Sequence, residues 1–133
     1  MRRWLLWLLI MTVAVAVGVP VSIRALLLQT EYAPEFRKAS FSTIRTGTAI
    51  EEVLARLGPP LRCIVISRQT GVTIGSWTYG EDEREVIDLA KKQASICVLH
   101  YSKPRHEGGS YRAYEIQCVN GKVRGKRTYN YWD

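Results

Sequence analysis

Three cysteines, Cys63, Cys97 and Cys118, and two histidines, His100 and His106, are the residues here whose types do covalent or metal chemistry. Zinc sites draw their ligands from closely spaced pairs, and no C-x-x-C or comparable spacing occurs. G-x-S-x-G, P-loop and dinucleotide fingerprints are missing as well. Each cysteine sits in an apolar, β-like run, where a free thiol behaves as a small core hydrophobe. One disulfide in an exported domain is the alternative. A thiol–imidazole pair assembled in space, Cys97 or Cys118 with His100, would make a small exported enzyme. A histidine on a strand is more often packed or hydrogen-bonded, so the expectation is a non-enzymatic chain with no metal and no cofactor.

Charge says more. The formal +7 is unevenly placed. Residues 29–102 carry nine basic and nine acidic side chains, whereas 103–133 carry seven basic and three acidic. If the last strand alternates regularly, Lys122, Arg124 and Lys126 form one row of cations with Arg127 beside it. Such a row is either a solvated edge protected from aggregation or a docking surface for an acidic protein or anionic lipid. These four residues are the candidate partner-binding site. An exported domain meets no nucleic acid, despite an isoelectric point near 9.6.

Export is written in the first residues. Met1-Arg2-Arg3 precedes an uncharged run from Trp4 to Ile23. Twenty helical residues span about 30 Å, the thickness of a bilayer's hydrocarbon core. The paired arginines hold the N-terminus in the cytoplasm, and Trp4 and Trp7 suit the headgroup level. Ala14-Val15-Ala16 offers a small-x-small site, so a cleaved signal peptide competes with an uncleaved anchor. The length of the run favours the anchor. The organisation expected is an anchor at 1–28, a tether at 29–42 and a folded domain at 43–133.

That domain must position the cationic row, and its clearest local code is Thr43 to Pro60. Thr48 and Glu51 have capping-box spacing. Ile50, Val53, Leu54 and Leu57 then form one apolar stripe, with Leu54 and Leu57 expected to be buried. Gly58 stops the helix and Pro59-Pro60 forbid its continuation. Strands follow at 62–68 and 72–79, with Gly75 read as a bulge and Trp77 and Tyr79 on one face. Residues 83–93 fit a helix or a strand equally. A strand at 95–101, a loop at 103–110, a strand at 111–119 and an Asn120-Gly121 hairpin into the last strand complete the chain. The fold class expected is α+β, one or two helices on an antiparallel sheet of four or five strands.

Gly47, the helix with Glu52-Val53, Leu57-Gly58-Pro59, Trp77-Thr78-Tyr79 and Asn120-Gly121-Lys122-Val123 occur in an order that resembles the SmpA/OmlA, or BamE-like, family of small envelope proteins. The resemblance runs from Phe41 to Thr128. It implies a domain that accompanies outer-membrane β-barrel assembly and binds protein partners. Two departures are plain. Typical members carry an acylated cysteine after the apolar run, and no cysteine precedes Cys63 here. The charged stretch at 81–92 is also longer than the family's. A single-pass helix in the cell membrane, with the C-terminal domain outside the cytoplasm, is the consistent substitute for the lipid anchor. N-terminal sequencing of the mature protein should return a start upstream of Trp4, and a start at Val17 would show cleavage instead.

Overall fold

The computed structural model describes residues 29–82, 84–92 and 94–132. The anchor reading of residues 4–23 lies outside the described residues. In chain order the elements are β1 (Thr30–Tyr32), α1 (Lys38–Thr43), α2 (Ile50–Leu57), β2 (Arg62–Ser67), β3 (Thr73–Thr78), α3 (Arg84–Lys91), β4 (Ser95–His100), β5 (Ser102–Pro104), β6 (Tyr111–Val119) and β7 (Lys122–Tyr131). One five-stranded antiparallel sheet runs β3-β2-β4-β6-β7, and β1 and β5 make a separate pair. Helices on an antiparallel sheet are the α+β architecture expected. The undecided stretch at 83–93 contains α3, whose Val86 and Ala90 are buried.

Alternation along the strands divides the sheet into two unlike faces. Cys63, Val65, Trp77, Cys97, Leu99, Ile116, Cys118 and Val123 join Phe41, Ile44, Ile50, Val53, Leu57, Val86 and Ala90 in one buried cluster. All three helices therefore lie on the same side. Among the described residues the opposite face carries no helix. Its aliphatic residues Ile64, Ile66, Ile96, Val98 and Val119 are half-buried.

Helix α2 forms from the stripe read in the sequence, with one adjustment. Ile50, Val53 and Leu57 are fully buried, while Leu54 is partly exposed at the edge of the cluster. Gly58 ends the helix at φ 72°, and its N–H donates to Leu54 O. A Cβ at Gly58 would stand 2.5 Å from Glu35 Cβ, so close packing as well as conformation demands glycine. The capping box does not form. Ala49 is the N-cap, with no side-chain bond, because the residues before it are drawn into the sheet. Gly47 N–H donates to Val123 O, Val123 N–H to Thr48 O, and Ile50 N–H to Gly121 O. Ala49 bridges Lys122 in the same ladder. Glu51 pairs instead with Lys91 of α3 at 2.6 Å.

The residues expected to be a tether, 29–42, belong to the domain. β1 pairs antiparallel with β5, Tyr32 opposite Ser102, which also places a strand where a loop was expected. Ala33 and Phe41 are buried. Phe36 is the hub of an aromatic cluster, with ring centroids 5.7 Å from Phe41, 5.4 Å from Tyr101 and 5.2 Å from Tyr114. Scattered aromatics between Pro34 and charged residues have no periodicity to read, and their contacts with Tyr101 and Tyr114 come from strands distant in sequence. The rings of the Trp-x-Tyr pair meet edge to face, centroids 6.4 Å apart, but differ in burial. Trp77 is buried with its indole N–H on Glu81 O, whereas Tyr79 lies beyond the strand and is exposed.

Leu57→Ala should cost roughly 2–5 kcal/mol through lost burial and the cavity left behind. Leu54→Ala should cost clearly less. Thr48→Ala should stay within about 0.5 kcal/mol, since its hydroxyl caps nothing. Equilibrium denaturant unfolding of the three variants checks this order, and a Thr48→Ala loss as large as that of Leu57→Ala would contradict the packing.

Candidate functional site

The row of cations expected on the last strand is not one row. Asn120 and Gly121 both have positive φ, 52° and 73°, as a two-residue type I′ hairpin requires. Lys122 then pairs with Val119 and Val123 with Cys118, but Gln117 pairs with Gly125. Arg124 is the extra residue of a bulge, and a bulge reverses the faces of everything beyond it. Lys122 shares the helix-free face with Val119. Lys126 sits opposite buried Ile116 and turns to the helix-bearing side. Its Nζ donates to Phe41 O at 2.8 Å and Ser42 O at 2.7 Å, capping the C-terminal end of α1, where the helix dipole favours a cation. Lys126 therefore serves as a helix cap on the helix-bearing side, apart from the other three cations. Lys122, Arg124 and Arg127 stay with the open face.

Other basic residues join them there. Period two along β2 and just past it puts Arg62, Ile64, Ile66 and Arg68 on one face. Arg68, Lys122 and Arg124 come together around an open groove of about 680 Å³ whose lining includes Ile96, Gln117 and Val119. At the other end of the face, Arg62, His100, Glu115 and Arg127 stand in one cross-strand row. Glu115 is the acid of that row, and it is engaged. Its Oε1 accepts from Tyr129 Oη at 2.7 Å and lies 3.2 Å from His100 Nδ1. Burial holds the His100 imidazole below its ordinary pKa against the opposing attraction of Glu115. The hydrogen bond to Glu115 pushes the Tyr129 phenol up to about 12, with burial adding to it. The face is thus an aliphatic strip rimmed by cations whose one interior carboxylate is already satisfied. Alternation within RCIVISR carried the signal for Arg62 and Arg68. Reading that stretch as a strand without assigning its faces left them out of the candidate site.

The three cysteines gather under the helices. Cys97 and Cys118 are cross-strand partners, and Cys63 Sγ lies 3.0 Å from Cys97 Sγ. All three are buried free thiols. The contact with Cys63 and burial raise the Cys97 thiol, and burial pushes the Cys118 thiol up to about 12. Both shifts run opposite to the depressed pKa that activates a cysteine nucleophile. His100 belongs to the helix-free face, so the sheet itself separates it from Cys97 and Cys118. The pairing that the Cys/His reading requires does not occur. Among the described residues no group of three or more His, Cys, Asp or Glu is placed to hold a metal ion.

In the reduced, folded protein all three thiols should resist a maleimide at neutral pH, and all should react in denaturant. Timed alkylation followed by peptide mass spectrometry measures this. Rapid labelling of Cys97 or Cys118 in the native state would revive the nucleophile reading.

No protein-family model, curated protein or solved structure matches the chain.

Proposed function

We propose that the protein is a membrane-anchored, non-enzymatic envelope domain that binds an acidic protein partner on the helix-free face of its sheet. The observation that carries this reading is the composition of that face. Half-buried Ile64, Ile66, Ile96, Val98 and Val119 offer an apolar centre, while Arg62, Arg68, Lys122, Arg124 and Arg127 surround it. Interfaces are built in this way, with an apolar core that excludes water and a polar rim that sets orientation and rate. The BamE-like order of motifs suggests the setting, envelope or outer-membrane protein assembly. The N-terminal apolar run supplies the membrane attachment in place of the family's lipid.

Cationic rims also attract anionic lipid, but an apolar centre on a flat sheet face favours a protein surface of matching shape. Two sets of variants separate binding from folding. Replacing Arg68, Lys122 and Arg124 by Gln should change stability by about 0.5 kcal/mol or less at each site. The same variant should lose partner capture from detergent-solubilised envelopes severalfold, and added salt should weaken the wild-type capture. Lys126→Gln should do the opposite. It should lower stability by about 0.3–1 kcal/mol through the lost helix cap and leave capture unchanged. Quantitative capture of the full chain at low and physiological salt, with unfolding curves beside it, is the measurement. Undiminished capture by the triple variant at both salts would remove this face from the interface, and transfer of its binding to protein-free anionic vesicles would replace the acidic protein by lipid.

A further inference from the structure

The place where the chain enters the domain determines which end of the domain meets the membrane. Gln29 is held on both sides of its peptide unit. Its N–H donates to Ser110 O at 3.2 Å, and its carbonyl accepts from Arg105 N–H at 2.9 Å. Thr30 Oγ1 accepts from Arg112 N–H at 2.9 Å. Residue 29 is therefore fixed at the end of the sheet where β6 begins and β7 finishes, the end remote from the Asn120-Gly121 turn.

That end is aromatic. Tyr111 pairs with Tyr131 across β6 and β7, their ring centroids 5.5 Å apart. Tyr129, Tyr131 and Trp132 are 42%, 47% and 51% exposed, three of the six large hydrophobic side chains exposed among the described residues. The others, Val72, Ile74 and Tyr79, lie on or beside β3 at the opposite edge of the sheet. Arg105 and Arg112 are exposed at the aromatic end. Lys103 is balanced there by Glu31 at 3.3 Å, and the exposed Glu107 offsets one arginine.

We infer that this end, with Tyr129, Tyr131, Trp132, Arg105 and Arg112, docks into the headgroup layer of the bilayer that the N-terminal run crosses. The inference rests on the anchor reading of residues 4–23. Given that reading, residues 24–28 alone connect membrane and domain. Five residues reach at most about 18 Å when fully extended, less than the bulk of a small domain. The end bearing Gln29 must then lie against the lipid. Tyrosine and tryptophan are the side chains that favour this layer, with an apolar body and a polar edge. Arginines beside them are attracted to anionic headgroups. Docking holds the domain upright and leaves the Asn120-Gly121 end pointing away from the bilayer.

The test uses the full chain in vesicles of phosphatidylcholine and phosphatidylglycerol containing a headgroup-nitroxide lipid. Asn130→Cys and Thr70→Cys each receive a fluorescent maleimide, one at each end of the sheet. The label at 130 should be quenched severalfold more than the label at 70, and Arg105→Gln with Arg112→Gln should reduce that difference. Equal, weak quenching at both sites in a chain that co-floats with the vesicles would overturn the docking and leave the anchor standing. A label at 130 shielded from both the lipid nitroxide and aqueous iodide would show protein covering this end, and would also overturn it. A chain that fails to float would overturn the anchor and the docking together.

Discussion

The Asn120-Gly121 turn is the constraint on which the rest of this domain depends. Its two positive φ values bring β6 and β7 into register, and its polar groups then tie down what surrounds it. Gly121 O receives the first amide of α2, Asn120 N–H donates to Ser95 O at the head of β4, and Asn120 Oδ1 accepts Ala94 N–H just past α3. A Cβ on Gly121 would come within 3.3 Å of the Lys91 backbone, so α3 packs directly on the turn. Nearby, Ser95 Oγ donates to Ala90 O and Lys92 O at the end of α3, and the Lys91–Glu51 pair links α3 to α2. Two helices and three strands are thus tied together through three polar atoms of a two-residue turn.

The bulge immediately after the turn decides which surface the protein can offer. One unpaired residue, Arg124, sends Lys126 to the helix side as a cap and keeps Lys122 and Arg127 on the open side. Charge that looks like one continuous stripe in the sequence therefore does two separate jobs. The open face gathers the remainder, Arg62 and Arg68, from strand β2 instead. Glu115, hydrogen-bonded within that face, offsets only one of its five cations.

Local codes in this sequence were legible and distant ones were not. The stripe of α2, the glycine stop, the Asn-Gly hairpin and the strands at 95–101 and 111–119 all appear in the structure, because each is set by residues within a few positions of one another. The capping box failed for a reason outside its own window, since Gly47 and Thr48 are recruited into β7's ladder. A tether was expected at 29–42 because β1 pairs with β5, seventy residues away in Tyr32 and Ser102, and no local signal announces such a partner. The cationic row failed by one residue. Nothing before Arg124 in the sequence marks the bulge, and period two propagates a single slip to every residue beyond it.

The long reach of these pairings has a consequence for how the domain is made. Tyr32 waits for Ser102, Phe36 for Tyr114, and Gly47 for Val123. The N-terminal third consequently leaves the ribosome with its partners still unsynthesised, and contacts of this separation are slow to form. Until the final hairpin is delivered, Ile50, Val53 and Leu57 lack part of the core that buries them. Short helices separated by proline and glycine, such as α2 before Pro59-Pro60, are poor at associating by themselves while they wait for those partners.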